Sequence, residues 1–436
     1  MIEGINLSLS YTTMPKTAYF VGIGGIGMSA LAQLLAGQRV WVAGSDREAS
    51  PVTELLESKG IKVDIGQKAE NVSVGVEVVV YSDAVPSENP ERSRAEELGI
   101  PQYSYFEMLG KVSEGRRTVA VAGTHGKTTT TGMLARILRD AGTAPTAVIG
   151  SIVKDFGSNY LAGTSDLFVV EACEYRDHLL ELTPQVLVIT NLEWDHTDYF
   201  PSLAALQETF RKAIARVPRG GAIVTNPNDA NIAPLLTETK VRIVDYTKES
   251  HYDLRLPGEF NVMNARAAAA AARAVLPSIS DAAIVESLAA FEGTWRRFEY
   301  KGKTAQGADV YDDYAHHPTA VKATLKALRA KVKGKIIVAF HPHLYSRTRD
   351  LLEEFSTAFT DADTVLIAPI YAAREKDDGA ISSEILAQCI RSAGTDAAAL
   401  GSFEVIENSL SEAGEGDTIM TMGAGDIYKV ADKIIV

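Results

Sequence analysis

Gly123-Thr124-His125-Gly126-Lys127-Thr128-Thr129 follows an apolar run, Thr118 to Ala122, and leads into a helical stretch through Leu138. That order suits phosphate chemistry. Backbone amides around Gly126 can cradle phosphate oxygens, the Lys127 ammonium can reach the β and γ phosphates of ATP, and the Thr128 hydroxyl can ligate Mg²⁺. The loop is shorter than the standard phosphate loop, which has a glycine five residues before the Gly of GKT; here Val121 stands there. The plain alternative is a glycine turn before a helix that happens to carry a lysine.

A second glycine pattern, G-x-G-x-x-G through Gly22, Gly24 and Gly27, follows the run Thr17 to Val21, and Asp46 ends the next strand. Such glycines let the backbone approach a diphosphate at a helix N-terminus, and the acid can meet a ribose hydroxyl. A nucleotide or nucleotide-sugar, a nicotinamide cofactor and a simple tight turn all remain open for it.

Two polar clusters end apolar runs downstream. Leu167 to Val170 runs into Glu171, and Val186 to Ile189 runs into Thr190-Asn191-Leu192-Glu193-Trp194-Asp195-His196. In an open parallel sheet the ligand lies beyond the carboxyl ends of the strands, so Glu171, Asp195 and His196 should converge on the edge that carries Lys127. Oxygen and imidazole donors there suit Mg²⁺ or Mn²⁺. Taken singly, each would be a strand-end cap. Further on come Asp312-Asp313-Tyr314-Ala315-His316-His317-Pro318 and His341-Pro342-His343-Leu344-Tyr345-Ser346-Arg347-Thr348, so these motifs hold six of the eight histidines. No spacing among His316, His317, His341 and His343 matches a helical HExxH or a mixed Cys/His zinc pattern, which favours positioning and anion binding.

These motifs need strands that end at them and helices that begin there. Short β-branched runs alternate with helical stretches throughout, which predicts α/β domains with largely parallel sheets. Tyr103 to Arg117 reads as a boundary between the two glycine-loop units. The Ala-rich stretch Asn264 to Ala274 reads as one packed helix. After Phe291 to Phe298 the chain restarts as strand (Ala308 to Tyr311), helix (Thr319 to Ala330) and three apolar strands, Lys335 to Phe340, Thr364 to Ile370 and Thr418 to Met422. Three domains are expected: 1–111, 112–294 and 295–436.

Composition narrows the class. The chain has 436 residues, 46% of them hydrophobic, and 43 Lys+Arg against 56 Asp+Glu, a net charge of −13. That is enough apolar material for several cores, and the acidic balance weighs against general nucleic-acid binding. No run is long and apolar enough to span a membrane, and the opening MIEGINLSLSYTTMPK lacks the layout of a secretory leader. With only Cys173 and Cys389, no disulfide framework can form, and a cytoplasmic location is expected.

Together the motifs resemble the ATP-dependent Mur ligases of peptidoglycan synthesis. The resemblance runs from about Lys16 to Lys429 and is carried by GIGGIGM at Gly22, GTHGKTTTT at Gly123, EACEYRDHLL at Glu171 and TNLEWDHTDYF at Thr190. It continues with RRFE at Arg296, DDYAHHPT at Asp312, HPHLYSRT at His341, AREK at Ala373 and MGAGDI at Met422. It implies an N-terminal Rossmann-like domain for a UDP-sugar, a central P-loop-type ATPase domain with a mostly parallel sheet, and a C-terminal Rossmann-like domain that closes over the site with an amino acid.

The pattern is most similar to members that join L-alanine to the lactyl carboxylate of UDP-N-acetylmuramate through an acyl phosphate, releasing ADP and phosphate. The resemblance then implies UDP-sugar contacts at Gly22, Gly24, Gly25, Ile26, Gly27, Asp46 and Ser82. It implies nucleotide contacts at Gly123, Thr124, His125, Gly126, Lys127, Thr128, Thr129, Asn261, Asn264, Arg296 and Asp313. Metals (Mg²⁺ or Mn²⁺) would sit at Thr128, Glu171 and His196. Arg347, with Tyr314, His316 and His343, would receive the amino-acid carboxylate through two parallel bonds. Catalysis would fall to Lys127, Glu171, His196, Asp313, His343 and Arg347, in a monomer or homodimer with no nucleic-acid or membrane partner.

The chain departs from the family pattern at Phe260, where a histidine is usual before Asn261, at Asp83 within a usual Ser-Ser-Ala, and around Tyr105, where an arginine is common. The alternatives are a recycling ligase that attaches a tripeptide to the same UDP-sugar, a nicotinamide-dependent dehydrogenase that uses the first loop, and a non-catalytic nucleotide-binding module.

Overall fold

Runs such as Val186-Leu187-Val188-Ile189 have no polar face to offer water and need cover on both sides, which strands of a parallel sheet receive from crossover helices. In a computed structural model, which describes residues 14–436, all four of these residues are buried. Residues 1–13, which carry most of the opening segment read for a leader and begin the first expected domain, lie outside the described residues.

Three sheets follow one another along the chain. The first holds β1 (Thr17–Val21), β2 (Trp41–Asp46), β3 (Lys62–Ile65), β4 (Val78–Tyr81) and β5 (Gln102–Ser104), all parallel, in the order β3-β2-β1-β4-β5. The second holds β6 (Arg117–Ala122), β7 (Thr146–Val153), β8 (Ser158–Leu161), β9 (Leu167–Glu171), β10 (Val186–Ile189), β11 (Ala222–Thr225) and β12 (Arg242–Asp245). Its order is β12-β11-β10-β6-β9-β7-β8, with only the β7/β8 pair antiparallel. The third holds β13 (Glu299–Lys303), β14 (Asp309–Asp313), β15 (Ile336–Phe340), β16 (Thr364–Ile367), β17 (Asp396–Ala399) and β18 (Thr418–Met422) in the order β13-β14-β18-β15-β16-β17. Here too one edge pair, β13/β14, is antiparallel. The chain is therefore an α/β protein of three domains with mostly parallel sheets.

The topology places the chemistry. In the second sheet β6 lies between β9 and β10, so the loop after β6, Glu171 at the end of β9 and Thr190 after β10 share one edge. In the first sheet the order reverses at β1/β4, which sets the glycine loop beside Ser82 at a topological switch point.

Local signals account for most boundaries. The Ala-rich stretch lies inside one helix, Glu259–Val275, whose buried alanines let it pack closely on the helix Lys127–Asp140. The stretch Tyr103 to Arg117, read as a boundary, joins the last strand of the first sheet to the first strand of the second, and most of it is the helix Tyr105–Ser113. Ser104 and Glu107 close a capping box there, and Met108, Leu109 and Val112 are buried. β14 extends past Tyr311 through Asp312 and Asp313, and β16 stops at Ile367.

The apolar core of the first sheet continues without a break into one side of the second. A buried polar network pins that junction. Asn159 donates to Ser29 Oγ at 2.8 Å and to the carbonyl of Ile26, Gln33 donates to Asn159 Oδ1 at 2.9 Å, and Ser158 donates to Gln33 Oε1 at 2.9 Å. Replacing Asn159 by Ala strands these groups away from water, at a cost of about 1–3 kcal/mol. A thermal melt should show a clear fall in Tm, whereas an unchanged Tm would mean the network adds nothing to the junction.

Candidate active site

The loop after β6 is built around two left-handed glycines. A side chain at Gly123 (φ 127°) would collide with the Thr190 hydroxyl, and one at Gly126 (φ 81°) with the Asn264 side-chain carbonyl. The segment after β10 braces the loop: the His125 amide donates to Asn191 Oδ1 at 2.9 Å, Asn191 Nδ2 donates to the His125 carbonyl at 3.0 Å, and the Thr124 amide donates to the Asn191 carbonyl. The amides of Thr124 and His125 are thereby spent on the protein. Those of Lys127, Thr128 and Thr129, in the first helical turn, have no intrahelical partner and remain for an anion.

Lys127 folds back over this loop. Its Nζ donates to the carbonyls of Gly123 and Thr124 and, at 2.9 Å, to Oε1 of Glu174, a carboxylate only 1% exposed. Burial works against the ammonium, but Glu174 outweighs it and holds the lysine above its ordinary pKa. Burial likewise opposes the Glu174 carboxylate, and Lys127 with His196 holds it below the usual range. Nε2 of His196 lies 3.4 Å from the same Oε1, while Glu174 Oε2 and His196 Nδ1 are buried without hydrogen-bond partners. Beside them Thr128 Oγ donates to Glu171 Oε1 at 2.9 Å, and the Gly150 amide donates to Glu171 Oε2 at 2.6 Å. A hydroxyl, a carboxylate and an orphaned imidazole nitrogen fit a hard divalent cation.

The third domain reaches this edge through Arg297, whose Nη2 donates to Thr128 Oγ at 3.2 Å. The neighbouring Arg296, expected at the nucleotide, is turned away from it. Its Nε donates to Asp312 at 2.8 Å, Nη1 to the Gly425 carbonyl at 2.9 Å and Nη2 to the Gly423 carbonyl at 2.6 Å. With all three nitrogens engaged and the side chain buried, Arg296 ties β14 to the loop after β18 and is not placed to bind nucleotide. Asp313 accepts from the amides of Phe298 at 2.7 Å and Ala315 at 2.6 Å; burial pushes its carboxyl up to about 6, against the pull of Arg297.

Asp195 also departs from its expected direction. It crosses to the third domain, where Oδ1 accepts from Arg347 Nε at 2.7 Å, and Arg347 is 2% exposed. Burial resists the charge on Asp195, yet Arg347 holds the carboxyl well below its ordinary range. Nη1 of Arg347 lies 3.0 Å from His343 Nδ1, so among the described residues only Nη2 lacks a hydrogen-bond partner. A two-bond fork onto an amino-acid carboxylate is therefore not open in this arrangement; one nitrogen is. His316, with Nδ1 3.0 Å from the Tyr314 carbonyl, and His343 face each other with ring centres 6.1 Å apart, and the Tyr314 ring lies beneath both Arg296 and Arg297.

Asn261 and Asn264 are buried at the start of the Ala-rich helix, linked to each other at 3.3 Å, with Asn264 against Gly126. Phe260 packs with Trp194 on the third domain's core, so the ring that replaces the usual histidine seals an interdomain joint. In the first domain the Gly24 amide donates to Asp46 Oδ2 and the Arg47 amide to Oδ1, both at 2.8 Å, which leaves each oxygen a lone pair for a hydroxyl. Gly22 and Ile23 donate to the Ser45 carbonyl, Gly25 donates to Gly22, and Gly27 abuts the Tyr105 ring. Ser82 lies against Gly22, and its neighbour Asp83 pairs with His178 of the second domain at 2.9 Å. Glu174, Arg297, Thr190 and Asn191 were not among the expected site residues; all four stand in motifs quoted above.

Comparisons with known proteins point to one family. The chain matches the Mur ligase family catalytic domain over residues 17–117, the Mur ligase middle domain over 121–255 and the Mur ligase glutamate ligase domain over 296–425. It is similar to a UDP-N-acetylmuramate–L-alanine ligase of Acetivibrio thermocellus, at 40% identity over 96% of each chain, and to one of Clostridium acetobutylicum at 37%, over 96% of this chain and 97% of that one. Among solved structures it resembles the UDP-N-acetylmuramate–alanine ligase of Thermotoga maritima, with a TM-score of 0.79 and 28% identity over 96% of this chain and 98% of that one. A murein peptide ligase from Psychrobacter arcticus shares the fold, with a TM-score of 0.75 at 24% identity over 96% of this chain and 98% of that one.

The buried histidines set the response to acid. Burial, aided at His316 and His343 by Arg347, lowers His343 to about 3, His317 and His341 to about 4, and His316 well below its ordinary value. Unfolded, each takes a proton near pH 6.5, so stability is complete above that pH and falls as the pH drops toward 4. Asp313 opposes this between about 4 and 6, because there the folded state holds a proton that the unfolded chain releases. Roughly two to three net protons should be taken up on unfolding near pH 5, a slope of about 3–4 kcal/mol per pH unit. Denaturant melts from pH 7.5 to 4.5 would show this slope; a flat profile would mean the histidines are charged in the folded protein.

Proposed function

The chain belongs to the Mur ligase family, and from that premise we propose that it joins L-alanine to the lactyl carboxylate of UDP-N-acetylmuramate, with ATP converted to ADP and phosphate. The observation that carries the reading is the convergence of Lys127, Thr128, Glu171, Glu174, His196 and Arg297 at one sheet edge, beside free first-turn amides. A dehydrogenase using the first loop alone would leave this constellation without a purpose.

A carboxylate is a poor acyl donor, so its oxygen first takes the γ-phosphoryl group of ATP and ADP departs. The alanine nitrogen then attacks the carbonyl carbon of the acyl phosphate, loses a proton, and phosphate leaves. Lys127 exchanges Glu174 for the transferring phosphoryl group, and Arg297 adds a second cation from across the domain gap. Thr128 would hold one Mg²⁺ or Mn²⁺ ion and Glu171 with His196 another, whose chemistry there is to neutralise charge on the phosphates. Asn261 and Asn264 would serve the adenine side, Asp313 the ribose or phosphates, and Arg347 Nη2, with Tyr314, His316 and His343, the alanine carboxylate. The first glycine loop, Asp46 and Ser82 take the UDP-sugar.

On this reading residues 1–111 serve the UDP-sugar, 112–294 ATP, and 295–436 the amino acid, in a cytoplasmic monomer or homodimer. No helix among the described residues is long and apolar enough to cross a membrane.

Purified protein with ATP, Mg²⁺, UDP-N-acetylmuramate and L-alanine should release phosphate and ADP. AMP and pyrophosphate as main products would overturn the mechanism, and turnover with the tripeptide in place of alanine would identify the recycling reaction instead. Lys127→Ala should lose at least tenfold, about 1.4 kcal/mol of transition-state stabilisation, while still binding UDP-sugar. Arg347→Lys should raise the KM for L-alanine and leave those for ATP and UDP-sugar within a small factor. One charge-assisted bond is worth about 1.5–3 kcal/mol, or roughly 10- to 150-fold in kcat/KM for the amino acid. A uniform loss across all three substrates would reduce Arg347 to its structural partnership with Asp195.

A further inference from the structure

His125 of the phosphate loop, Glu193 after β10 and His317 before the helix Pro318–Arg329 come from three separate stretches of chain and meet where the second and third domains touch. His125 Nε2 lies 3.1 Å and His317 Nδ1 3.7 Å from the same Glu193 oxygen, and the three donor atoms are all within 4.8 Å of one another. The two imidazole rings are 4.7 Å apart. Ligands at about 2.0–2.1 Å around a tetrahedral zinc ion are separated by roughly 3.3 Å, so a small inward movement of each group would enclose a cation.

The protons are already arranged for this. Nε2 of His317 lies 3.2 Å from the Trp194 carbonyl, which can only accept, so that nitrogen carries the hydrogen and Nδ1 is left as an acceptor, 3.7 Å from the Glu193 carboxylate. Metal-bound histidines are oriented in this way, with the second N–H donated to a backbone carbonyl. Burial keeps His317 neutral, down to about 4. The Glu193 carboxylate, although burial resists its charge, is held at about 2 by His125. The Thr319 amide donates to this Nδ1 at 3.4 Å, so a bound ion would take the place of one long capping bond.

We propose that His125, Glu193 and His317 form a binding site for a divalent transition metal of the zinc type, separate from the Thr128, Glu171 and His196 set, and that an ion there fastens the phosphate loop to the third domain. Two imidazoles and one carboxylate favour Zn²⁺, Co²⁺ or Ni²⁺ over Mg²⁺, which prefers oxygen. His125 is expected at the nucleotide, but its ring is turned to Glu193, so the inference stands on protein contacts alone.

The test uses metal-free, full-length protein titrated with Co²⁺ alone, since tetrahedral Co²⁺ gives an intense visible band and octahedral Co²⁺ a weak one. The wild type should develop the intense band, and Zn²⁺ should abolish it. His317→Asn, which keeps an acceptor for the Thr319 amide, and Glu193→Gln should each lose the band and weaken binding at this site by at least about 10- to 100-fold. Glu171→Gln should keep it. If His317→Asn fails to fold by circular dichroism, Glu193→Gln, whose side chain is about a third exposed, decides alone. Absence of the band in the wild type, its survival in both variants, or its loss in Glu171→Gln would overturn the proposal.

Discussion

A buried ammonium is the constraint from which the site is built. Lys127 sits where a parallel sheet ends and a helix begins, and a lysine there is tolerable only with a counter-charge at contact distance. Glu174 supplies it, and Glu174 is itself tolerable only because Lys127 and His196 share its Oε1. The loop cannot bend to bring them together unless Gly123 and Gly126 adopt left-handed backbone, and it cannot hold that bend without Thr190 and Asn191 behind it. The charge balance, the glycines and the order of β9, β6 and β10 therefore require one another.

The same reasoning extends across the domain gap. Arg347 and Asp195 lie on different domains, each nearly sealed from water, and neither charge could be left there alone: removing one partner of a buried pair typically costs about 3–5 kcal/mol. Arg297 on Thr128, His317 on the Trp194 carbonyl and Arg374 on Asp198 cross the same gap. The third domain is thus seated by groups whose partners belong to the second domain's active edge.

How far the sequence revealed this follows from how local each signal is. The glycine loops, the strand ends at Asp46, Glu171 and Ile189, and the Ala-rich helix are contiguous patterns, and they stand where their spacing predicts. β13 was not legible because Glu-Tyr-Lys-Gly-Lys has no apolar alternation; the partner β14 makes it a strand. The helix Tyr105–Ser113 was obscured by the polar run that follows it. Arg296 and Arg297 are the same residue type one position apart, and left-handed backbone at Arg296 and Phe298 sends them to opposite partners. No spacing rule carries that information. The Asp195–Arg347 pair spans 152 positions, a separation at which only the folded topology can bring a carboxylate to a guanidinium.

On the proposed reading, the groups a substrate would engage are already held by partners within the protein. Lys127 is held by Glu174 and two loop carbonyls, Thr128 by Glu171 and Arg297, and Arg347 by Asp195 and His343. On that reading an entering phosphate would compete with Glu174 for Lys127 and with Thr128 for Arg297, while an amino-acid carboxylate would meet the one nitrogen of Arg347 that is left over. Binding on this design is an exchange of partners between like charges. Much of the desolvation that makes these cations costly in isolation would then be settled by the fold before the substrate arrives. The exchange also orders events: the phosphate-side cations can be transferred while Arg347 and Asp195 keep the domains seated, which keeps water from an acyl phosphate during the interval before the amine attacks.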